Sequence, residues 1–225
     1  MDQRKQQNMK VIAVSCMHGR QKTVSECIKR MPFIEKIYIA SRDEDIEFLK
    51  SQPILAYGQY KNNPLSWKWN TAIQLLRDVD FDAVILLGSD DYIDEKYLRY
   101  IEENISKYDM IGFSDIYFQE DDNMYYWRGY ENHRKGEPSG AGKTYTKKFL
   151  EKINYNLFPL ALNKGLDSLS WNIVKRRTSN IHITSLKEHG LLLVDIKDGE
   201  GLTSLNKFTN LEYANTNTKT IREKR

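Results

Sequence analysis

The feature that most constrains the fold is the segment FDAVILLG at residues 81–88, in which apolar side chains follow one another almost without interruption. A strand with one face in water alternates polar and apolar residues, so a continuous apolar strand is typical of a parallel sheet covered by helices on both faces. The segment leads directly into SDDYID. Ligands of open α/β sheets bind at the carboxyl ends of the strands, which is where this order places the carboxylates of Asp90 and Asp91.

The residues before this strand alternate between strand and helix patterns, which predicts a parallel α/β sheet. The predicted strands are KVIAVSC, IEKIYIAS and a short segment near ILAYG. Apolar residues at helical spacing predict two amphipathic helices, one with Val24, Cys27, Ile28 and Met31, the other with Trp69, Ala72, Ile73 and Leu76. A short acidic helix is expected at residues 45–50, and Ser66 is the predicted N-cap of the later amphipathic helix.

After residue 94 a further helix is predicted, with Asp94 as its cap, and beyond Tyr108 the pattern changes. DMIGFSDIYF and NMYYWRGY predict strands of a smaller mixed or antiparallel extension, followed by a glycine-rich turn, the helix TKKFLEKI and a helix at residues 166–176. The expected organisation is a flexible N-terminus (1–9), one domain (10–207, with halves 10–108 and 109–207) and a frayed polar tail (208–225).

Charge and cysteine content exclude several classes of protein. The 34 basic and 31 acidic residues give a net charge of +3, and the basic clusters are short and scattered, so a nucleic-acid groove is not expected. Cys16 and Cys27 form no CxxC motif, which favours a reducing, cytoplasmic setting. The apolar run VIAVSC is too short for a signal core or a membrane span.

The segment EPSGAGKT at residues 137–144 resembles the phosphate-binding loop of nucleotide hydrolases but departs from it in two ways. That loop requires a glycine at the position held here by Glu137, and Gly136 lies one residue too early. No apolar strand precedes the segment. We therefore interpret it as a turn in which Gly140 and Gly142 allow a positive φ or a close approach.

The acidic pair Asp90–Asp91 has two interpretations. Aspartates after a strand commonly cap the next helix or form a turn. Here Asp94 is better placed to cap, which leaves two carboxylates after a buried strand and a Gly-Ser turn. Carboxylate oxygens are hard ligands suited to Mg²⁺ or Mn²⁺, and such ions are usually shared with substrate phosphates.

At residues 10–196 the chain resembles glycosyltransferases of the GT-A fold, in particular the small enzymes similar to family two that use nucleotide-diphosphate sugars. The matching segments are VIAVSCMHGR, IYIASRDED, WKWNTA, ILLGSDDYI and KGLDSLSW. The acidic motif is the more specific of these because strand, turn and helix surround it in the expected order. It departs from the Asp-x-Asp pattern of the family, because Ser89 stands at the first position.

The resemblance implies a role for each matching residue. Asp91 would be the principal metal ligand, Asp90 would hold the ribose or the water shell of the metal, and His189 or Asp195 would complete the metal site. Contacts to the nucleotide would come from Ser15, His18, Asp43, Lys68 and Asn70, although a solvated helix face explains Lys68 and Asn70 equally well. Asp167 would be the catalytic base, with helix capping as its alternative, and His189 has an ordinary surface role as its alternative.

The function that this resemblance implies is transfer of a sugar from a UDP-sugar to a glycan acceptor, with Mn²⁺ or Mg²⁺ and inversion of the anomeric centre. Two other functions stay open on the sequence alone. One is a module of the same fold that binds a sugar nucleotide without transferring it. The other is a metal-dependent phosphodiesterase or nuclease, which would need more clustered acids and a basic groove.

Overall fold

The computed structural model describes residues 9–199 and 204–214 and has two sheets. Residues 1–8 of the predicted flexible N-terminus (1–9) and residues 215–225 of the predicted tail lie outside the described residues. The strands of the first sheet are β1 (Val11–Cys16), β2 (Glu35–Ala40), β3 (Ala56–Gln59), β4 (Ala83–Leu86), β6 (Met110–Phe113), β9 (Thr144–Thr146) and β10 (Ile181–Thr184). Those of the second are β5 (Asp91–Ile93), β7 (Ile116–Glu120), β8 (Asn123–Trp127), β11 (Leu193–Ile196) and β12 (Leu211–Tyr213).

The first sheet has the order β10-β6-β9-β4-β1-β2-β3, and every strand except β9 points in the same direction. Its helices are α1 (Gln21–Arg30), α2 (Asp43–Lys50), α3 (Leu65–Leu75), α4 (Glu95–Asn104), α5 (Lys147–Lys152), α6 (Leu166–Arg177) and α7 (Leu186–His189). None of the helices in the described ranges is long and apolar enough to cross a bilayer.

Helices cover both faces of the first sheet because its strands are apolar on both sides. Along β1, Val11 and Ala13 pack with residues of α1 and α4, whereas Ile12 and Val14 pack with residues of α3, α5 and α6. The second sheet joins the layer that contains α1 and α4. This confirms the predicted mostly parallel sheet with a smaller mixed extension.

Three local expectations are corrected. Ser66 is not the N-cap of α3, because the helix begins at Leu65 after Pro64, and the Ser66 hydroxyl accepts a hydrogen bond from Leu162 N at 2.9 Å. The glycine-rich turn leads into β9, an antiparallel strand between β4 and β6, before α5 begins. The tail is packed as far as Ala214: Phe208 lies 4.3 Å from the Phe118 ring, and β12 pairs with β8.

The division at residue 108 does not separate the two sheets. β6, β9 and β10 from the second half of the chain complete the first sheet, and β5 from the first half is an edge of the second. β4 and β5 are consecutive in the chain but belong to different sheets. The acidic turn between them therefore lies at the junction of the two sheets.

Candidate active site

The turn between β4 and β5 places two carboxylates side by side. Gly88 N donates a hydrogen bond to Asp91 Oδ2 at 2.5 Å, which fixes the first carboxylate of β5 over the end of β4. A Cβ atom at Gly88 would lie 2.7 Å from Asp90 Oδ1 and 3.0 Å from Asp91 Oδ2. Glycine is therefore required at residue 88 if the carboxylates of Asp90 and Asp91 are to lie where they do.

A third carboxylate comes from the other end of the chain. Asp195 in β11 lies directly opposite Asp91 in the antiparallel pair β5–β11. One oxygen from each of Asp90, Asp91 and Asp195 lies within 4.8 Å of the others, and we call these three residues the acidic cluster. Like charges directly opposite one another destabilise a sheet, so the fold holds this cluster at a cost in stability.

Burial and mutual repulsion govern the ionisation of the cluster. Burial, followed by the charges of Asp195 and Asp90, raises the pKa of Asp91 well above its ordinary value. Burial, together with the charge of Asp90, raises the pKa of Asp195 to about 7. Asp195 Oδ1 is buried without a hydrogen-bond partner. The protein therefore supplies only part of the positive charge and hydrogen bonding that would stabilise these carboxylates in their ionised form.

Two basic side chains contact the cluster. Lys197 Nζ lies 2.5 Å from Asp195 Oδ2 and above the Phe118 ring. Arg20 Nη1 lies 2.8 Å from Asp90 Oδ2, and the same guanidinium binds Asp198. Burial opposes the charge of Arg20, but Asp90 and Asp198 outweigh it and raise the pKa of Arg20 above its ordinary value. Three acids thus face two directly bonded bases.

The arrangement fits a divalent cation. The donor set consists of carboxylate oxygens, which are the ligands that Mg²⁺ and Mn²⁺ prefer. Asp195 Oδ1 is available, and the raised pKa values of Asp91 and Asp195 indicate that a further positive charge would stabilise the ionised cluster.

The acidic cluster forms one wall of a cavity of about 570 Å³. The cavity lies at the carboxyl ends of β1 and β4, where open α/β sheets bind their ligands. Of the predicted residues, His18, Lys68, Asp90, Asp91 and Asp167 line it, and Asp195 lies with them. The fold thus brings together residues separated by up to 177 positions in the chain (195 minus 18).

Asp167 lies on a different part of the wall, in the first turn of α6. Gly165 is the N-cap of this helix and Asp167 lies inside its first turn, so Asp167 is not the cap that the alternative interpretation required. Its carboxylate lies against Gly140, where a Cβ atom would be only 2.5 Å from Asp167 Oδ2. Gly140 therefore allows the close approach expected for this turn, and Gly142 has the positive φ, +73°.

Lys143, from the glycine-rich turn, lies beneath Asp167 and is only 2 % exposed. Its Nζ donates to Asp167 O at 3.1 Å and to Ser170 Oγ at 3.3 Å. Burial lowers the pKa of Lys143. The segment EPSGAGKT leads into β9 and not into the helix of a phosphate-binding loop. Its lysine instead donates a hydrogen bond to the first turn of α6.

Lys68 is buried as well and joins three loops at the cavity. Its Nζ donates to Met17 O, to Ser41 Oγ and, at 3.2 Å, to Asn62 Oδ1. Burial lowers the pKa of Lys68. The solvated helix face offered as an alternative is wrong for Lys68, which is 1 % exposed.

Four predicted residues lie away from the cavity lining. Ser15 is buried within β1, and Asp43 starts α2 and accepts from Gln59 Nε2 at 2.7 Å. Asn70 donates to Phe158 O at 2.6 Å and accepts from Phe158 N at 3.0 Å, so it orders a loop. His189 Nε2 lies 2.9 Å from Thr184 Oγ1, and its ring packs on Tyr100. The structure does not bring His189 to the acidic cluster; Asp195 lies there.

The sequence interpretation missed Arg20, Lys197 and Asp45. Asp45 is completely buried and accepts from Gly19 N at 2.8 Å and from Arg42 Nη2 at 2.9 Å, which orders the loop after β1. Burial opposes ionisation of Asp45, but these hydrogen bonds outweigh it and lower its pKa. The signal for Asp45 was its place in the acidic stretch after β2, where Asp43 drew the prediction instead.

No family description and no curated protein matches the sequence. Solved structures do match the fold. The structure of residues 1–349 of S. aureus TarS in complex with UDP-GlcNAc aligns with a TM-score of 0.60 and 15% identity, over 87% of this chain and 62% of that chain. The corresponding complex with UDP gives 0.57 and 15%, over 84% and 60%.

A cytidylyltransferase from Leptospira borgpetersenii serovar Hardjo-bovis aligns with a TM-score of 0.50 and 12% identity, over 79% of this chain and 76% of that chain. The chain spans about three fifths of the length of TarS 1–349. At these identities the similarity concerns the fold alone, and it confirms the predicted class: a mixed α/β, GT-A-like fold with a mostly parallel central sheet.

Proposed function

We propose that this chain is a glycosyltransferase that moves a sugar from a nucleotide-diphosphate donor, a UDP-sugar, to a carbohydrate acceptor with the help of Mn²⁺ or Mg²⁺. The observation that carries the proposal is the acidic cluster in the cavity at the carboxyl end of β4. Two of its carboxylates lie on opposed strands, and Asp195 Oδ1 has no partner. The similarity to structures of TarS that contain UDP-GlcNAc and UDP supports uridine as the nucleoside of the donor.

In this proposal Asp91 and Asp195 hold the cation directly, and Asp90 holds its water shell or the ribose. When bound, the cation supplies positive charge to the departing diphosphate. His18 and the loops joined by Lys68 contact the nucleotide from the side of β1, because they line the same cavity. Asp195 replaces His189 as the third predicted ligand.

Asp167 is the proposed base. Its carboxylate accepts the proton of the acceptor hydroxyl, the oxygen forms a bond to the anomeric carbon, and the bond from that carbon to the diphosphate breaks, so the nucleoside diphosphate leaves with the electron pair. The ammonium of Lys143 donates a hydrogen bond to the backbone carbonyl of Asp167 and so helps to keep the Asp167 carboxylate against Gly140. A single displacement of this kind inverts the anomeric centre.

The test has two stages. Thermal melting with UDP, GDP, ADP or ATP, each with and without Mn²⁺, should show the largest rise for UDP with Mn²⁺. At a concentration of a hundredfold Kd the gain is about 2.7 kcal/mol, or roughly 5–10 °C for a chain of this size. UDP-GlcNAc should then release UDP faster when a glycan acceptor is added. Stabilisation by ATP alone, lost in Lys143→Ala, would contradict the proposal.

Nucleotidyl transfer is a second candidate, favoured by the similarity to the cytidylyltransferase. Such an enzyme would also need a cation at the acidic cluster, because it displaces pyrophosphate. The two reactions differ in their product. Pyrophosphate released from CTP or UTP with a sugar phosphate would support this candidate, and release of UDP from UDP-GlcNAc would support the first.

A further inference from the structure

Arg20 contacts the acidic cluster more extensively than an ordinary surface arginine would. Arg20 is the N-cap residue of α1 and has a positive φ of 58°. Its side chain is nearly enclosed, with 12% of its surface exposed. Nη1 binds Asp90 Oδ2 at 2.8 Å, whereas Nε and Nη2 bind the two oxygens of Asp198 at 2.9 and 2.6 Å. Asp198 anchors the group through two bonds, and Asp90 holds only its outer nitrogen.

The position of Arg20 makes it a competitor of any cation bound by the cluster. Asp90 Oδ2 already accepts from the guanidinium, and a divalent ion among the same carboxylates would repel that group. Arg20 is hydrogen-bonded to Asp90, whereas Asp91 Oδ2 accepts from Gly88 N and Asp195 Oδ1 has no hydrogen-bond partner, so Arg20 would oppose the ion most strongly at Asp90. A cation alone should therefore bind weakly.

A diphosphate changes this balance. A nucleoside diphosphate bound to one divalent cation keeps a net negative charge, and the planar guanidinium fork matches phosphate oxygens in a bidentate manner. Arg20 and the acidic cluster line the same cavity, so a diphosphate bound beside the cluster would lie next to Arg20. Once Nη1 leaves Asp90 it can donate to a phosphate oxygen while Asp198 keeps hold of Nε.

We propose that Arg20 is an internal counter-cation of the acidic cluster, which the metal and the nucleotide diphosphate together displace from Asp90, so that the two ligands bind cooperatively. This inference rests on the proposed function and adds the order in which its site fills. The free energy needed to move Arg20 off Asp90 weakens the binding of whichever ligand binds first. The second ligand binds without that cost and therefore more tightly. By linkage, UDP must strengthen Mn²⁺ binding by the same factor as Mn²⁺ strengthens UDP binding.

The experiment measures Mn²⁺ affinity by the EPR signal of free Mn²⁺, with and without saturating UDP, in wild type, Arg20→Gln, Arg20→Lys and Arg99→Met. Arg99 is a control because its ion pair with Glu95 lies on the exposed side of α4. UDP should tighten Mn²⁺ binding in the wild type by about tenfold or more. In Arg20→Gln, Mn²⁺ alone should bind several times more tightly than in the wild type, and the effect of UDP should fall to about threefold or less.

Arg20→Lys should keep part of the coupling because it keeps a charge, and Arg99→Met should behave as the wild type. Weaker Mn²⁺ binding in Arg20→Gln, or unchanged coupling in a variant whose melting shows that it folds, would overturn the role of Arg20 alone. If Arg20→Gln does not fold, full coupling in Arg20→Lys, whose ammonium has no bidentate fork, would overturn it. A wild type that binds neither Mn²⁺ nor UDP would overturn the proposed function as well.

Discussion

The acidic cluster and the two buried lysines of the same cavity differ in how their charges are satisfied. Lys68 and Lys143 donate hydrogen bonds to neutral oxygens of the backbone, of hydroxyl groups and of an amide. The acidic cluster contains three carboxylates with two directly bonded bases, and Asp195 Oδ1 has no partner. Burial lowers the pKa of both lysines, but each ammonium has hydrogen-bond partners within the fold. A buried polar atom that has such partners holds the scaffold, whereas one without a partner indicates where a ligand can supply it.

The largest effect is expected at the acidic cluster, which contains the unpartnered carboxylate oxygen. Asp91→Asn removes the carboxylate opposite Asp195 but keeps its shape. Transfer should fall by about 10³-fold, because metal stabilisation of a leaving group is worth several kcal/mol. UDP release from UDP-GlcNAc measures this, and the rise in Tm with Mn²⁺ and UDP should disappear with it. Glu95→Gln, on the exposed side of α4, is the control. A rise in Tm with Mn²⁺ and UDP in Asp91→Asn as large as in the wild type would show that the acidic cluster does not hold the metal.

A second test concerns the base. Asp167→Asn should lower kcat by 10² to 10⁴, the usual contribution of a general base, while the Kd of UDP stays within about twofold. Kinetic titration beside calorimetric UDP binding separates the two quantities. Gly140→Ala is a matched variant, since its methyl group would occupy the place of the Asp167 carboxylate. If Asp167→Asn lost donor affinity and kept kcat, Asp167 would belong with the binding residues.

The third prediction uses pH in the absence of metal. The pKa of Asp195 is raised to about 7 in the folded chain, where Asp90, Asp91, Arg20 and Lys197 face it, against about 3.9 unfolded. The folded state therefore binds the proton more tightly, and the stability that this contributes is lost as pH rises through 7.

Between pH 5 and pH 8 the wild type should lose about 2 kcal/mol from this group relative to Asp195→Asn. Urea unfolding of both proteins at the two pH values measures the difference, in which titrating groups that do not interact with Asp195 cancel. A change in stability with pH that is equal in the two proteins would show that Asp195 is ionised without strain.

The smallest effect is expected at Lys143, whose ammonium already has hydrogen-bond partners within the fold. Lys143→Met should leave the Kd of UDP within about threefold, because its ammonium is held by Asp167 O and Ser170 Oγ. Titration calorimetry with UDP and Mn²⁺ measures this. A loss of nucleotide affinity of about thirtyfold or more would instead make EPSGAGKT a phosphate-binding segment and reverse the comparison.

Much of the fold could be predicted because its strands are continuous apolar segments. FDAVILLG and KVIAVSC each form buried strands of the first sheet, and Asp94 caps α4 as expected, accepting from Tyr97 N at 2.9 Å. β9 and β12 could not be predicted, since each has three residues and is defined by its partners. Their strand conformation comes from the sheets that they join, a tertiary effect that no local pattern carries.

The candidate site divides in the same way. Asp90 and Asp91 follow from their place after a buried strand, which the sequence displays directly. Arg20 could not be predicted, because its partners Asp90 and Asp198 lie 70 and 178 positions away. In the sequence Asp195 is a competitor of the predicted ligand His189, and only the register of β5 with β11 places it opposite Asp91.

The central claim is that Asp91 and Asp195, opposed on neighbouring strands, hold a divalent cation beside a nucleotide diphosphate. Anomalous diffraction at the manganese edge, from crystals grown with MnCl₂ and UDP, tests it most directly. The account predicts one strong anomalous peak, from a manganese ion coordinated by oxygens of both aspartates and by the diphosphate of UDP. UDP clearly bound with no peak at these two residues, or with its manganese elsewhere, would contradict it.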